Sequence, residues 1–101
     1  MWLMVLFDLP VVKIEEKRKY VQFRNTLLQD GFTMLQFSVY ARYCPSEEAA
    51  TVHKKRVRSA LPTKGQVRIL SITDKQFGKM ENYVGKTKDK NEDAPDQLLL
   101  L

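Results

Sequence analysis

Trp2-Leu3-Met4-Val5-Leu6-Phe7 is a run of six apolar residues that ends on a charge, Asp8, and is followed at once by Leu9-Pro10. A strand with one wet face alternates apolar and polar residues, so an unbroken run of this length describes a strand covered on both faces. Pro10 has no N–H to give a ladder, and it stops the strand. Asp8 therefore stands where a buried strand becomes loop. Carboxylates in that position serve as metal ligands and acid–base groups, although Asp-x-Pro is also a turn starter.

The chain has 101 residues, enough for one domain with a small core. Its single cysteine, Cys44, excludes an internal disulfide, and beside Pro45 at a helix entrance it reads as structural rather than nucleophilic. No stretch of 18 apolar residues exists to span a membrane, and the apolar N-terminus lacks the basic flank and cleavage site of a signal peptide. The expectation is a soluble, cytoplasmic protein. Charge is spread unevenly. Residues 51–88 hold ten Lys and Arg against Asp74 and Glu81, a net +8 in a chain whose total is +5. A basic half on a small domain is the footprint of a polyanion, with nucleic acid the first choice of partner.

Strand and helix patterns alternate along the chain. Residues 13–30 predict a helix whose apolar positions are Ile14, Tyr20, Val21, Phe23, Leu27 and Leu28, closed by Gly31. Phe32 to Tyr43 is β-rich and alternates from Leu35; it is one bent strand or two, since no Gly, Pro or Asn-Gly marks a hairpin. Pro45-Ser46-Glu47-Glu48 starts a second helix with Ser46 as N-cap, running to about Leu61 and ended by Pro62 and Gly65. His53, the only histidine, falls in rough phase with Ala49, Ala50 and Val57, a packing or surface position. Gln66 to Thr73 is a strand, Thr73-Asp74 opens a short helical turn through Phe77, and Met80 to Val84 is extended. Three segments follow: a domain over 1–84, a polar flexible loop over 85–97, and four leucines, Leu98, Leu99, Leu100 and Leu101, expected to dock as a strand on the chain's own sheet or a partner's.

This order gives an α/β sandwich, a ferredoxin-like βαββαβ fold with a C-terminal extra strand and both helices on one sheet face. The fully apolar first strand demands cover on the other face as well, and no spare helix is evident. A homodimer packing sheet to sheet meets that demand.

Several segments, taken together and in order, carry a resemblance. They are Val5-Leu6-Phe7-Asp8-Leu9-Pro10, Lys17-Arg18-Lys19-Tyr20 with Phe23-Arg24 and Leu27-Leu28, Gly31-Phe32, Gln36-Phe37-Ser38-Val39-Tyr40, and Thr73-Asp74-Lys75-Gln76-Phe77. On these the chain resembles the CRISPR-associated endoribonuclease family, the small ferredoxin-fold subunit of the CRISPR spacer-acquisition machinery, in the form found beside single-effector systems. It departs from many members at Met34, where they carry a basic residue.

The resemblance implies a homodimer whose two Asp8 carboxylates meet across the twofold axis and hold Mg2+ or Mn2+, with Asp8 as catalytic and metal residue of a nuclease acting on RNA or DNA. It also implies an adaptor role, in which the dimer bridges CRISPR integrase subunits and supports the duplex DNA that is inserted as a new spacer. That role needs phosphate contacts without base reading, which Lys and Arg supply. The candidates are Lys13, Lys17, Arg18, Lys54, Lys55, Arg56 and Arg58. The leucine tail, Leu98 to Leu101, with the residues after Gly85, is the expected integrase-facing surface. The alternative is a stand-alone, toxin-like, metal-dependent endoribonuclease, since the family is similar in fold to small toxin-type ribonucleases.

Overall fold

In the computed structural model, which describes residues 1–95, the elements follow one another as β1 (Trp2–Asp8), α1 (Ile14–Gln29), β2 (Thr33–Gln36), β3 (Val39–Tyr43), α2 (Glu47–Ser59), β4 (Gln66–Ile72), α3 (Asp74–Gly78), β5 (Asn82–Val84) and β6 (Thr87–Asp89). The first four strands form one sheet in the order β2-β3-β1-β4, antiparallel throughout. This is the ferredoxin-like arrangement expected from the element order, and it puts β1 in the middle with both edges paired. The leucine tail lies outside the described residues.

The position of β1 explains why its sequence does not alternate. Leu3, Val5, Phe7 and Leu9 enter a core with Phe23 and Leu27 of α1 and Ala50 and Val57 of α2. Trp2 and Met4 enter a second core with Ala41 and Phe77. The second core corrects the expectation that no helix is spare to cover that face. Thr73 caps α3 through a capping box with Gln76, and Phe77, buried in this short helix, stacks on Trp2 with ring centroids 4.0 Å apart. Tyr43 adds an edge-on contact to the same indole, with ring centroids 5.7 Å apart. The cover extends over one end of the strand only. Toward the other end Leu6 is half-buried, Leu70 is 49% exposed, and Arg68 and Asp8 are exposed.

Phe32 to Tyr43 is two strands. The chain reverses at Phe37-Ser38, where Ser38 takes φ +61° in place of the glycine a sequence reader looks for. Its carbonyl accepts the Phe7 N–H at 3.1 Å, which ties the reversal to the central strand.

The α1 stripe is narrower than its apolar residues suggest. Phe23 and Leu27 are buried and Tyr20 packs against them, but Ile14 is 79% exposed, and Val21 and Leu28 are also exposed. At about 100° per residue, Ile14 lies roughly 180° around the helix from Phe23 and Val21 roughly 160°. Neither shares the buried stripe of Phe23 and Leu27. At the far end, the polar loop expected from residue 85 begins as a strand: β6 pairs with β5 across a turn at Gly85, and the Asn91 side-chain amide donates to the carbonyls of Phe77 and Met80. Backbone pairing and one asparagine anchor order a segment with almost no apolar groups. No helix among the described residues is long and apolar enough to cross a membrane.

Candidate functional site

Asp8 is the last residue of β1 and faces Gln66 across the β4 ladder, on the same sheet face as Leu6 and its partner Arg68. These residues, with Phe7, line a shallow surface cleft. The carboxylate is exposed and makes no hydrogen bond or ion pair among the described residues. Arg68 is its diagonal neighbour, a relation that sets Cα atoms roughly 7–8 Å apart in an antiparallel pair.

Gly65 holds the backbone at this point. It has φ +90°, and a Cβ there would come 2.6 Å from the Asp8 carbonyl oxygen and 2.7 Å from Leu9 Cδ2. The loop entering β4 can therefore touch the end of β1 only because residue 65 has no side chain. The sequence reading took Gly65 as a helix terminator; its closer duty is to let the Asp8 rim form.

A hard divalent ion takes oxygen ligands and keeps several waters, so an exposed carboxylate suits it. One chain offers little more: among the described residues no group of three or more His, Cys, Asp or Glu is arranged to hold a metal.

The predicted basic residues separate into sets. Lys13, Lys17 and Arg18 are exposed at the start of α1, next in sequence to the Asp8 rim, and Arg18 pairs with Glu15 at 3.2 Å. Lys55 and Arg58 are exposed on α2, and Lys54 is half-buried. Arg56 is already engaged, its Nη1 donating to Asp30 Oδ1 at 2.7 Å.

That contact belongs to a network the sequence did not reveal. His53 is buried, with Nδ1 2.7 Å from Asp30 Oδ2, while its Nε2 accepts from Arg42 Nε at 2.9 Å. Because Nε2 is the acceptor, the proton sits on Nδ1 and is donated to Asp30. Burial pushes the Asp30 carboxyl up, but the hydrogen bonds from His53 and Arg56 outweigh it and hold the group below the ordinary carboxylate range. The network ties the end of α1 to β3 and α2 and stands apart from Asp8. Its one sequence signal was the phase of His53 with the buried side of α2. Cys44 is buried and free, and burial raises its thiol above the usual value, which suits an inert packing role.

The family model "CRISPR associated protein Cas2" matches residues 1–80. Among curated relatives, the CRISPR-associated endoribonuclease Cas2 of Parvibaculum lavamentivorans is 48% identical over 100 residues, 99% of each chain. That of Flavobacterium psychrophilum is 48% identical over 101 residues, all of this chain and 87% of the relative. The protein of the same name from Ligilactobacillus salivarius is 40% identical over the full length of both.

Proposed function

The chain belongs to the CRISPR-associated Cas2 family, and from that premise we propose that it acts as a homodimer in spacer acquisition, bridging integrase subunits and supporting the duplex DNA to be inserted, with metal-dependent phosphodiester cleavage at the dimer axis. One observation carries the reading. Asp8 is an exposed, unpartnered carboxylate at the end of the sheet that the chain leaves uncovered, and it has no second ligand of its own. A second copy laid on Leu6, Leu70 and their neighbours covers that apolar surface and brings a second Asp8 into reach. Mg2+ or Mn2+ held between the two carboxylates would activate water and neutralise charge on the scissile phosphate. Gly65 keeps each carboxylate at the rim. Lys13, Lys17, Lys55 and Arg58, exposed and without ion pairs among the described residues, are available to phosphates.

The name the relatives carry, endoribonuclease, supports the cleavage arm, and the same chemistry acts on RNA or DNA. The test is cleavage of labelled RNA and duplex DNA by the wild type and Asp8→Asn, with magnesium, with manganese and with chelator, alongside the solution mass of both proteins. We expect a dimer in each case and metal-dependent cleavage by the wild type alone. Equal cleavage by Asp8→Asn overturns the site. A monomeric wild type overturns the shared centre and the bridge together. A dimer that binds duplex DNA but cleaves nothing leaves the bridging function standing without turnover.

A further inference from the structure

Phe37 is 77% exposed, and it sits at the reversal between β2 and β3. Its neighbour Ser38 is fixed twice, by the Phe7 N–H bond to its carbonyl and by a 3.2 Å hydrogen bond between Ser38 Oγ and the Tyr20 hydroxyl. The Phe37 ring stacks on Tyr20 with centroids 6.0 Å apart and planes 19° apart, and Tyr20 in turn packs on Phe7 in the core. A large apolar ring is thus set in water beside an anchored turn and backed by an aromatic column.

The flank of α1 beside it is basic. At about 100° per residue, Lys13, Lys17, Tyr20 and Arg24 fall within a stripe roughly 60° wide, and Lys13 and Lys17 lie about 6 Å apart along the axis. Arg24 is turned to the Tyr40 hydroxyl at 3.1 Å. Lys13 and Lys17 are exposed and have no ion pair among the described residues. The neighbouring acids are already engaged: Glu15 pairs with Arg18, and Glu16 caps the backbone N–H groups of Val12 and Lys13.

We propose that Phe37 is a stacking platform for an unpaired nucleobase, with Lys13 and Lys17 taking the phosphates beside it. Base stacking on an aromatic side chain is sequence-tolerant, and the charge pattern favours a polyanion over an apolar protein surface. The inference rests on the nucleic-acid reading above and adds that the partner presents an unstacked base, at a single-stranded segment or a splayed end.

The experiment measures binding of a labelled single-stranded oligonucleotide and a labelled blunt duplex by the wild type, Phe37→Ala, Phe37→Trp and Lys17→Ala across a salt series. We expect Phe37→Ala to weaken single-strand binding roughly 5- to 100-fold with an unchanged salt slope and to leave the blunt duplex nearly unaffected. Phe37→Trp restores binding, and its emission changes on addition of the oligonucleotide. Lys17→Ala lowers the salt slope by about one on both ligands. Equal binding by wild type and Phe37→Ala on both ligands overturns the platform while the nucleic-acid reading stands. A Phe37→Ala protein that binds oligonucleotides normally but changes its solution mass overturns it in favour of a protein contact. A wild type that binds neither ligand overturns both readings.

Discussion

Removing the Asp30 carboxylate tests the buried network, and its cost can be worked from the geometry. Asp30→Ala deletes two acceptors. One serves His53 Nδ1, in a ring whose side chain is 11% exposed, and the other serves an Arg56 whose side chain is 59% exposed. Leaving a buried N–H without a partner costs about 1–3 kcal/mol. Losing an exposed arginine contact costs only about 0.2–1 kcal/mol. A few tenths return, because Asp30 caps the C-terminus of α1, where the helix dipole disfavours a negative charge. The expected loss is about 2–3 kcal/mol. With a urea slope of about 1–3 kcal/mol/M, the unfolding midpoint should fall by roughly 0.7–3 M.

The pH dependence gives a second signature. The folded-state pKa of Asp30 lies below its unfolded value, so its contribution is fully present above the unfolded pKa of about 3.9 and is lost as pH falls through the folded value. The gap between wild type and Asp30→Ala should therefore be constant near neutrality and shrink as pH drops below about 4. Asp30→Asn, which keeps one acceptor, should lose less. A gap under about 1 kcal/mol at neutral pH, or one that persists undiminished in acid, refutes the assignment of the network as a tie between α1, β3 and α2.

Two further substitutions probe what positions Asp8 and what covers β1. Gly65→Ala forces a side chain into φ +90° and against the Asp8 carbonyl; strain at such a position costs about 1–3 kcal/mol, which should lower the melting temperature by roughly 4–20 °C, and an unchanged melt would refute the close-approach argument. Phe77→Ala opens the second core at a cost of about 3–5 kcal/mol; the emission of Trp2, the only tryptophan, should shift to the red as its stacked partner disappears, and a native-like spectrum would show that α3 does not cover the strand.

Local signals in the sequence carried well into the structure. Ser46 was legible as an N-cap because capping chemistry acts within three residues, and its side chain does accept from the Ala49 N–H. The apolar run of β1 was legible because burial on both faces removes the alternation a solvated strand keeps. What covers that strand was harder to read. The capping signal at Thr73-Asp74 marks the turn through Phe77 as helical, yet nothing in Asp74–Gly78 announces that its ring lies on Trp2, some 75 residues away. Ile14 and Val21 misled for the opposite reason: apolar spacing was counted along the chain instead of around the helix.

The polar contacts divide in the same way, and the division explains why Asp8 stood out while the Asp30 network did not. Asp8 interrupts a pattern, and an interruption can be seen in one segment alone. Asp30, Arg42 and His53 each look like ordinary surface residues of their own elements. They become partners only when the crossing of α1, β3 and α2 brings their side chains together, 11 and 23 residues apart. Phe37 belongs to the second kind. An aromatic in an alternating β segment reads as core, and only the reversal at Ser38, made without glycine, turns it outward onto Tyr20. The ring's inner face packs on Tyr20 while most of its surface stays in water, and the two hydrogen bonds of Ser38 next door fix the reversal that sets it there, which is what the proposed nucleobase platform requires.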